Sequence, residues 1–247
     1  MNLAVVAVEA QIGEEQVRSS GVVLDADEGL ILTSAHTLWG ATSLRVATGL
    51  GVLHGRIVAR APCDDLAVVE TQPRLPGLVV LDPAAGEPAA EDLLLAVGRR
   101  EASPDVATGS LVTIPSRAIE GAAPAALGEG LPGLNAALRL DGALVPESSG
   151  GPVVDSRGRL VGLALATGSL ERPGGLAVPW SAVDERLQEL RQDARRLYVG
   201  WRAQYRCVDR LHAYAEAEHA GYRRADARIN APVPATRLPG TETVDTE

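Results

Sequence analysis

Between residues 4 and 70 the chain is written in short apolar runs, AVVAVEA, GVVLDADEG, LILTSAH, SLRVATG, VLHGRIVAR and LAVVE, separated by turn-forming residues. No helical period connects them. Runs of this length and spacing read as strands, and strands that follow one another so closely pair antiparallel, which points to a barrel or a sandwich. DADEG, at residues 25–29, is a good hairpin turn. Residues 71–92, rich in Pro and Ala, read as a crossing, after which the strand logic resumes with LLLAVG, GSLVTI, ALRL, GPVVD, LVGLALA and GLAVP. Residues 117–135, full of Ala, Gly and Pro, read as a long surface loop or a linker with no role of its own. With 247 residues and 46% hydrophobic content, the chain can bury a proper core.

The second constraint is chemical. ESSGGP, at residues 147–152, sets a serine before two glycines and a proline between apolar runs. Such a tight loop can hold one hydroxyl out while the backbone passes close behind it. Ser149 is therefore a candidate nucleophile, although Ser-Gly-Gly-Pro is also ordinary turn chemistry. A serine hydroxyl needs a base to take its proton and a third group to orient that base. His36 in GLILTSAHTL and Asp65 in CDDLAVVE flank strand-like runs and can fill these roles. Taken singly, each has a plainer reading: a packed histidine, and an aspartate that closes a turn.

Taken together, GVVLDADEGLILTSAHTL, DDLAVVE, ATGSLVTI, ESSGGPVVDSRGRLVGLALA and GGLAVPWSAV resemble the trypsin-like serine peptidases of the chymotrypsin fold, most of all the bacterial HtrA (Deg) branch. The resemblance covers roughly residues 4–185. It implies a mainly β fold of two antiparallel six-stranded barrels, chymotrypsin-like, with the active site in the cleft between them. Residues 1–180 would form the peptidase domain, with barrel one at about 1–75 and barrel two at about 80–180. Matched by position, His36 is the general base, Asp65 the orienting carboxylate and Ser149 the nucleophile. Asp64 is the rival carboxylate, but the family's acid directly precedes the Leu-Ala pair. The oxyanion hole would be made by the backbone N–H groups of Glu147 and Ser149. Relatives carry Gly at position 147 and Asn or Asp at 148, so Glu147 and Ser148 are departures. The substrate pocket would be lined by Ala143, Gly162 and Ala164, small residues that imply a preference for small or medium apolar residues before the cut.

After Pro179 the period changes. Ser181 is a candidate N-cap, and Val183, Leu187, Leu190, Ala194, Leu197, Trp201, Tyr205, Val208, Leu211 and Ala215 recur three and four apart, the mark of an amphipathic helix. Residues 181–228 thus form a helical extension that Gly200 can divide, and 229–247 a disordered tail. No PDZ domain is expected. Of the aromatic residues, 3 Trp and 4 Tyr, all but Trp39 lie between Trp180 and Tyr222. The extension either folds back on a barrel or serves as a surface for a protein partner or self-association. His212, Glu216 and His219 share one helical face at metal-ligand spacing, which an exposed polar face explains as well; no metal site and no cofactor are expected.

A net charge of −9 without a basic cluster excludes a nucleic-acid binder. The N-terminus lacks the positive start of a secretory signal, and no run of apolar residues is long enough to span a membrane. Cytoplasmic residence follows as the default, and Cys63 and Cys207 are expected to be reduced thiols. The leading functional expectation is a bacterial serine endopeptidase that cleaves polypeptides through an acyl-enzyme, with a form that waits for an activating partner as a variant of it. The competing one is a catalytically weak fold of the same type that works as a binding module through its C-terminal helices.

Overall fold

The computed structural model describes residues 1–74, 76–100, 110–119, 137–142, 144–165 and 175–193. Ala143, Cys207, the histidines at 212 and 219, Glu216, the helical extension beyond 193 and the tail 229–247 lie outside the described residues.

Every expected run forms a strand. The first half contains β1 (Val5–Ile12), β2 (Glu15–Asp25), β3 (Leu30–Ser34), β4 (Ser43–Thr48), β5 (Gly51–Ala61) and β6 (Leu66–Gln72). They close into an antiparallel barrel in the order β1-β2-β3-β6-β5-β4. The second half contains β7 (Leu93–Arg100), β8 (Ser110–Ile119), β9 (Leu138–Leu140), β10 (Pro152–Asp155), β11 (Leu160–Leu165) and β12 (Gly175–Pro179). These close into a second barrel in the order β10-β11-β12-β9-β8-β7. Of the surface loop expected over residues 117–135, the first three residues belong instead to β8, which runs on through Ile119, and the others lie outside the described residues. Closure is the physical solution for so many short strands: it pairs every edge and buries one face of each without help from helices.

The DADEG turn joins β2 to β3. The Glu28 N–H donates to Asp25 Oδ1 at 2.9 Å, and Gly29 takes a φ of +68° that a side chain would resist. Barrel one is filled by Val6, Val8, Val22, Ile31, Leu32, Val46 and Val69, among others. Leu94, Ala96, Leu140, Val153, Val161 and Ala177 fill barrel two. A third apolar cluster, Val5 with Val97 and Val154, joins the two, since Val5 belongs to β1, Val97 to β7 and Val154 to β10. That seam explains why the first six residues of β1 are all buried, where a one-sided strand would alternate.

A single described helix, α1 (Trp180–Asp193), follows β12 directly. It starts one residue before Ser181, which is therefore inside the helix and not its cap; the Ser181 hydroxyl donates to Glu87 Oε1 at 2.8 Å instead. Val183 and Leu187, one turn apart, are buried in the same cluster as the barrel-one core and as Leu163, Leu165 and Val178 of barrel two. In its described turns the extension therefore folds back onto the barrels. No described helix is long and apolar enough to cross a membrane. Cys63 is disulfide-bonded, which corrects the expectation that it is a reduced thiol.

Arg99 ties the N-terminal segment to barrel two. It is almost fully buried, its Nε donates to the Val5 carbonyl at 2.7 Å, and its Nη2 reaches the main-chain and side-chain oxygens of Asn2. Burial pulls its pKa down from the usual arginine value. An Arg99→Met substitution keeps the apolar stem and removes the donors, leaving the Val5 carbonyl buried without one. The expected loss is about 2–3 kcal/mol of unfolding free energy, measured by denaturant titration.

Candidate active site

His36 and Asp65 are brought together by the ends of two paired strands. β3 and β6 are antiparallel, with Ser34 opposite Leu66, so the residues just past the one and just before the other must meet. His36 opens a single 3-10 turn, His36–Leu38, and Asp65 precedes β6 with a φ of +54°. That left-handed conformation is one that aspartate tolerates better than most residues. It allows Asp65 three contacts with one short segment. Its carbonyl accepts the Ala35 N–H at 3.0 Å, its Oδ1 accepts the His36 N–H at 2.7 Å, and its Oδ2 lies 2.7 Å from His36 Nδ1. Both residues are almost fully buried. With Nδ1 donating to Asp65, the imidazole keeps its Nε2 lone pair for a proton, the tautomer that a general base requires.

Asp64 is turned to other use. Its carboxylate pairs with Arg186 of α1, with Oδ2 2.6 Å from Nε and Oδ1 3.4 Å from Nη2. The side chain that faces His36 is that of Asp65.

Ser149 comes from barrel two but is seated on barrel one. Its carbonyl accepts the Ser20 N–H at 2.9 Å, and the Ser20 hydroxyl donates to the Glu147 carbonyl at 2.6 Å. The same hydroxyl accepts the Arg99 N–H at 3.0 Å, while the Ser20 carbonyl accepts the Thr33 hydroxyl at 2.6 Å. One small residue of β2 thus carries the serine loop. From behind, the Gly150 N–H donates to the Ala164 carbonyl and the Ala164 N–H to the Gly151 carbonyl, each at 2.8 Å. The glycines of ESSGGP serve the close approach. A Cβ on Gly150, whose φ is +80°, would lie 2.4 Å from Thr33 Oγ1, 2.5 Å from the Ser20 carbonyl and 2.7 Å from the Ser34 nitrogen. A Cβ on Gly151 would lie 2.3 Å from the Val97 carbonyl. Because Ser34 is two residues before His36, this packing sets the serine loop directly beside the histidine segment.

Glu147 lies in a 3-10 turn, Pro146–Ser148, in which the Ser148 N–H donates to the Val145 carbonyl at 2.8 Å. Ser148 and Ser149 are almost fully buried, whereas Glu147 is partly exposed. Of the expected pocket residues, Gly162 sits on β11 opposite Pro179, where a Cβ would meet the Val178 carbonyl at 2.5 Å. Ala164 has its methyl in the barrel-two core and its main chain against the serine loop. Among the described residues no cluster of His, Cys, Asp and Glu has the makings of a metal site. Ser20, Thr33 and Arg186 were not singled out in the sequence. A faint hint was SSG at residues 19–21, where small polar residues directly precede the apolar run Val22–Leu24.

Two closed six-stranded antiparallel barrels, with the histidine and aspartate on one and the glycine-flanked serine on the other, define a chymotrypsin-like double barrel. Within that class the family model for the trypsin-like peptidase domain matches residues 19–163, and the chain belongs to this family. All of His36, Asp65 and Ser149 fall within the match. HhoB of Synechocystis sp., which bears a serine protease name, is 28% identical over 177 residues, 67% of this chain and 38% of HhoB. The chain therefore spans well under half the length of this relative. Among solved structures, the HtrA-type protease AlgW with a tripeptide shares 25% identity with a TM-score of 0.65, covering 76% of this chain and 60% of AlgW. The serine endoprotease from Yersinia pestis shares 22% identity with a TM-score of 0.63, covering 78% of this chain and 64% of that one.

The packing around Gly150 gives a direct test. Gly150→Ala should destabilise the fold by about 1–3 kcal/mol through the positive φ alone, and it should push the serine loop off Ser20 and Thr33. Chemical denaturation measures the first effect, and slower reaction of Ser149 with an acylating reagent at a temperature where the variant is folded measures the second.

Proposed function

We propose that the protein is a serine endopeptidase in which Ser149 attacks a peptide carbonyl and is acylated. His36 takes the serine proton through Nε2 and passes it to the leaving amine, and Asp65 fixes the tautomer and stabilises the imidazolium. Water then enters, gives its proton to His36 and releases the acyl group. The observation that carries this reading is the buried Asp65–His36 hydrogen bond, made beside a serine loop whose glycines permit contact with the histidine strand. Family membership and likeness to an HtrA-type protease support it. No cofactor enters the chemistry, and the substrate is a polypeptide with small or medium apolar residues before the cut.

The expected oxyanion donors suggest a restrained resting form. In a 3-10 turn each N–H is directed back at the carbonyl three residues earlier, and for Ser149 that carbonyl belongs to Pro146. A hole needs the N–H groups of Glu147 and Ser149 to converge instead on the carbonyl oxygen of the substrate, where one donor contributes about 3–4 kcal/mol. Substrate or a protein partner would then activate the site by unwinding Pro146–Ser148, with the partly exposed Glu147 side chain turned to solvent.

The reading is tested by incubating the protein with a peptide library and sequencing the products by mass spectrometry. Internal cuts after small or apolar residues are expected, lost in Ser149→Ala and reduced by about 10⁴-fold in Asp65→Asn, where the histidine tautomer is no longer fixed. Glu147→Gly should cleave as fast as the parent or faster, since Gly unwinds the turn without strain. A large loss in Glu147→Gly, or cleavage that survives Ser149→Ala, contradicts the reading.

A further inference from the structure

We infer that Arg186, on a helix outside both barrels, is a positioning residue for the histidine–aspartate pair. The inference rests on the reading of His36 and Asp65 given above and adds a residue to it.

Asp65 is held in a left-handed conformation, one that L side chains leave unless their neighbours hold them. Part of that hold comes from His36 and Ala35, which are the groups being positioned. The strand pairing of Leu66 holds Asp65 from the following side, and Asp64 holds it from the preceding one. Asp64 is mostly buried, its N–H donates to the Ala61 carbonyl at 3.1 Å, and its carboxylate meets the fork of Arg186 in two places. The positive charge of the guanidinium, with Nε 2.6 Å from Oδ2, holds the carboxylate toward α1. Fixing Asp64 fixes the peptide that leads into Asp65.

Charge supplies the second half of the argument. Asp64 and Asp65 are adjacent carboxylates at the end of the strand that borders His36, and either could accept from an imidazole. Arg186 neutralises Asp64 and points it toward α1, so that His36 meets one carboxylate alone. The helix itself is anchored by Val183 and Leu187, the latter next to Arg186, in the core cluster shared by both barrels. Through Arg186 the described part of the C-terminal extension thus touches the residue that precedes Asp65.

The test reads the pair itself and not turnover. In the full-length protein the proton that His36 Nδ1 donates to Asp65 should give a far-downfield NMR resonance, assigned by its loss in His36→Gln. We expect Arg186→Gln and Asp64→Asn each to lose that resonance while their amide spectra remain those of the folded protein, and Arg186→Lys, which keeps the charge, to retain it. A merely structural role would lower stability in these variants and leave the resonance of the folded fraction in place. Persistence of the resonance in both folded Arg186→Gln and folded Asp64→Asn overturns the inference, as does its absence from the parent protein. A parent that shows the resonance, loses it in Arg186→Gln, yet cleaves no peptide would retain the positioning role and refute the proposed activity alone.

Discussion

Ser20 is where the two barrels become one device. Its N–H, hydroxyl and carbonyl are all engaged, by the carbonyls of Ser149 and Glu147, the N–H of Arg99 and the hydroxyl of Thr33. Three of these groups belong to barrel two and one to the strand that leads to His36. The position must be small because Gly98 and Gly151 both pass against it, and polar because the carbonyls it faces are buried. Remove it and the serine loop loses its seat on the barrel that carries His36 and Asp65. The apolar seam of Val5, Val97 and Val154 supplies adhesion between the barrels, but it is not directional and cannot set the register of a loop.

The fold was legible because strand-length apolar runs with turn residues between them admit few closed arrangements, and all twelve strands fall on runs visible in the sequence. The histidine, aspartate and serine were legible through joint spacing, since no one of them is distinctive alone. What stayed hidden is long-range polar pairing. Ser20 looks like any small residue in a strand, and nothing near Arg186 announces that its partner lies 122 residues away. The cap expected at Ser181 failed for a related reason: the helix follows β12 without a gap, so its first turn is placed by the strand and not by a capping side chain. The reduced state expected of Cys63 rested on the number of cysteines alone, which says nothing of what lies near its side chain.

The site joins a strongly held part to a lightly held one. The Asp65–His36 pair is buried and multiply bonded, and the ion pair of Asp64 with Arg186 supports it from the helix side. The turn Pro146–Ser148 closes on a local hydrogen bond and leans on barrel one through the Glu147 carbonyl, with a partly exposed residue at its centre. A local turn of this kind rewinds at lower cost than a barrel rearranges. Under the proposed reading, regulation would act on the amides of this turn and leave the Asp65–His36 pair in place.

The central claim is that Ser149 is an activated nucleophile, and the most direct measurement is reaction of the folded protein with a fluorophosphonate, read by intact mass beside Ser149→Ala. The account predicts one adduct per chain, absent from the Ser149→Ala variant. Folded protein that stays unlabelled even when Glu147→Gly frees the turn, or an adduct that survives the loss of Ser149, would contradict it.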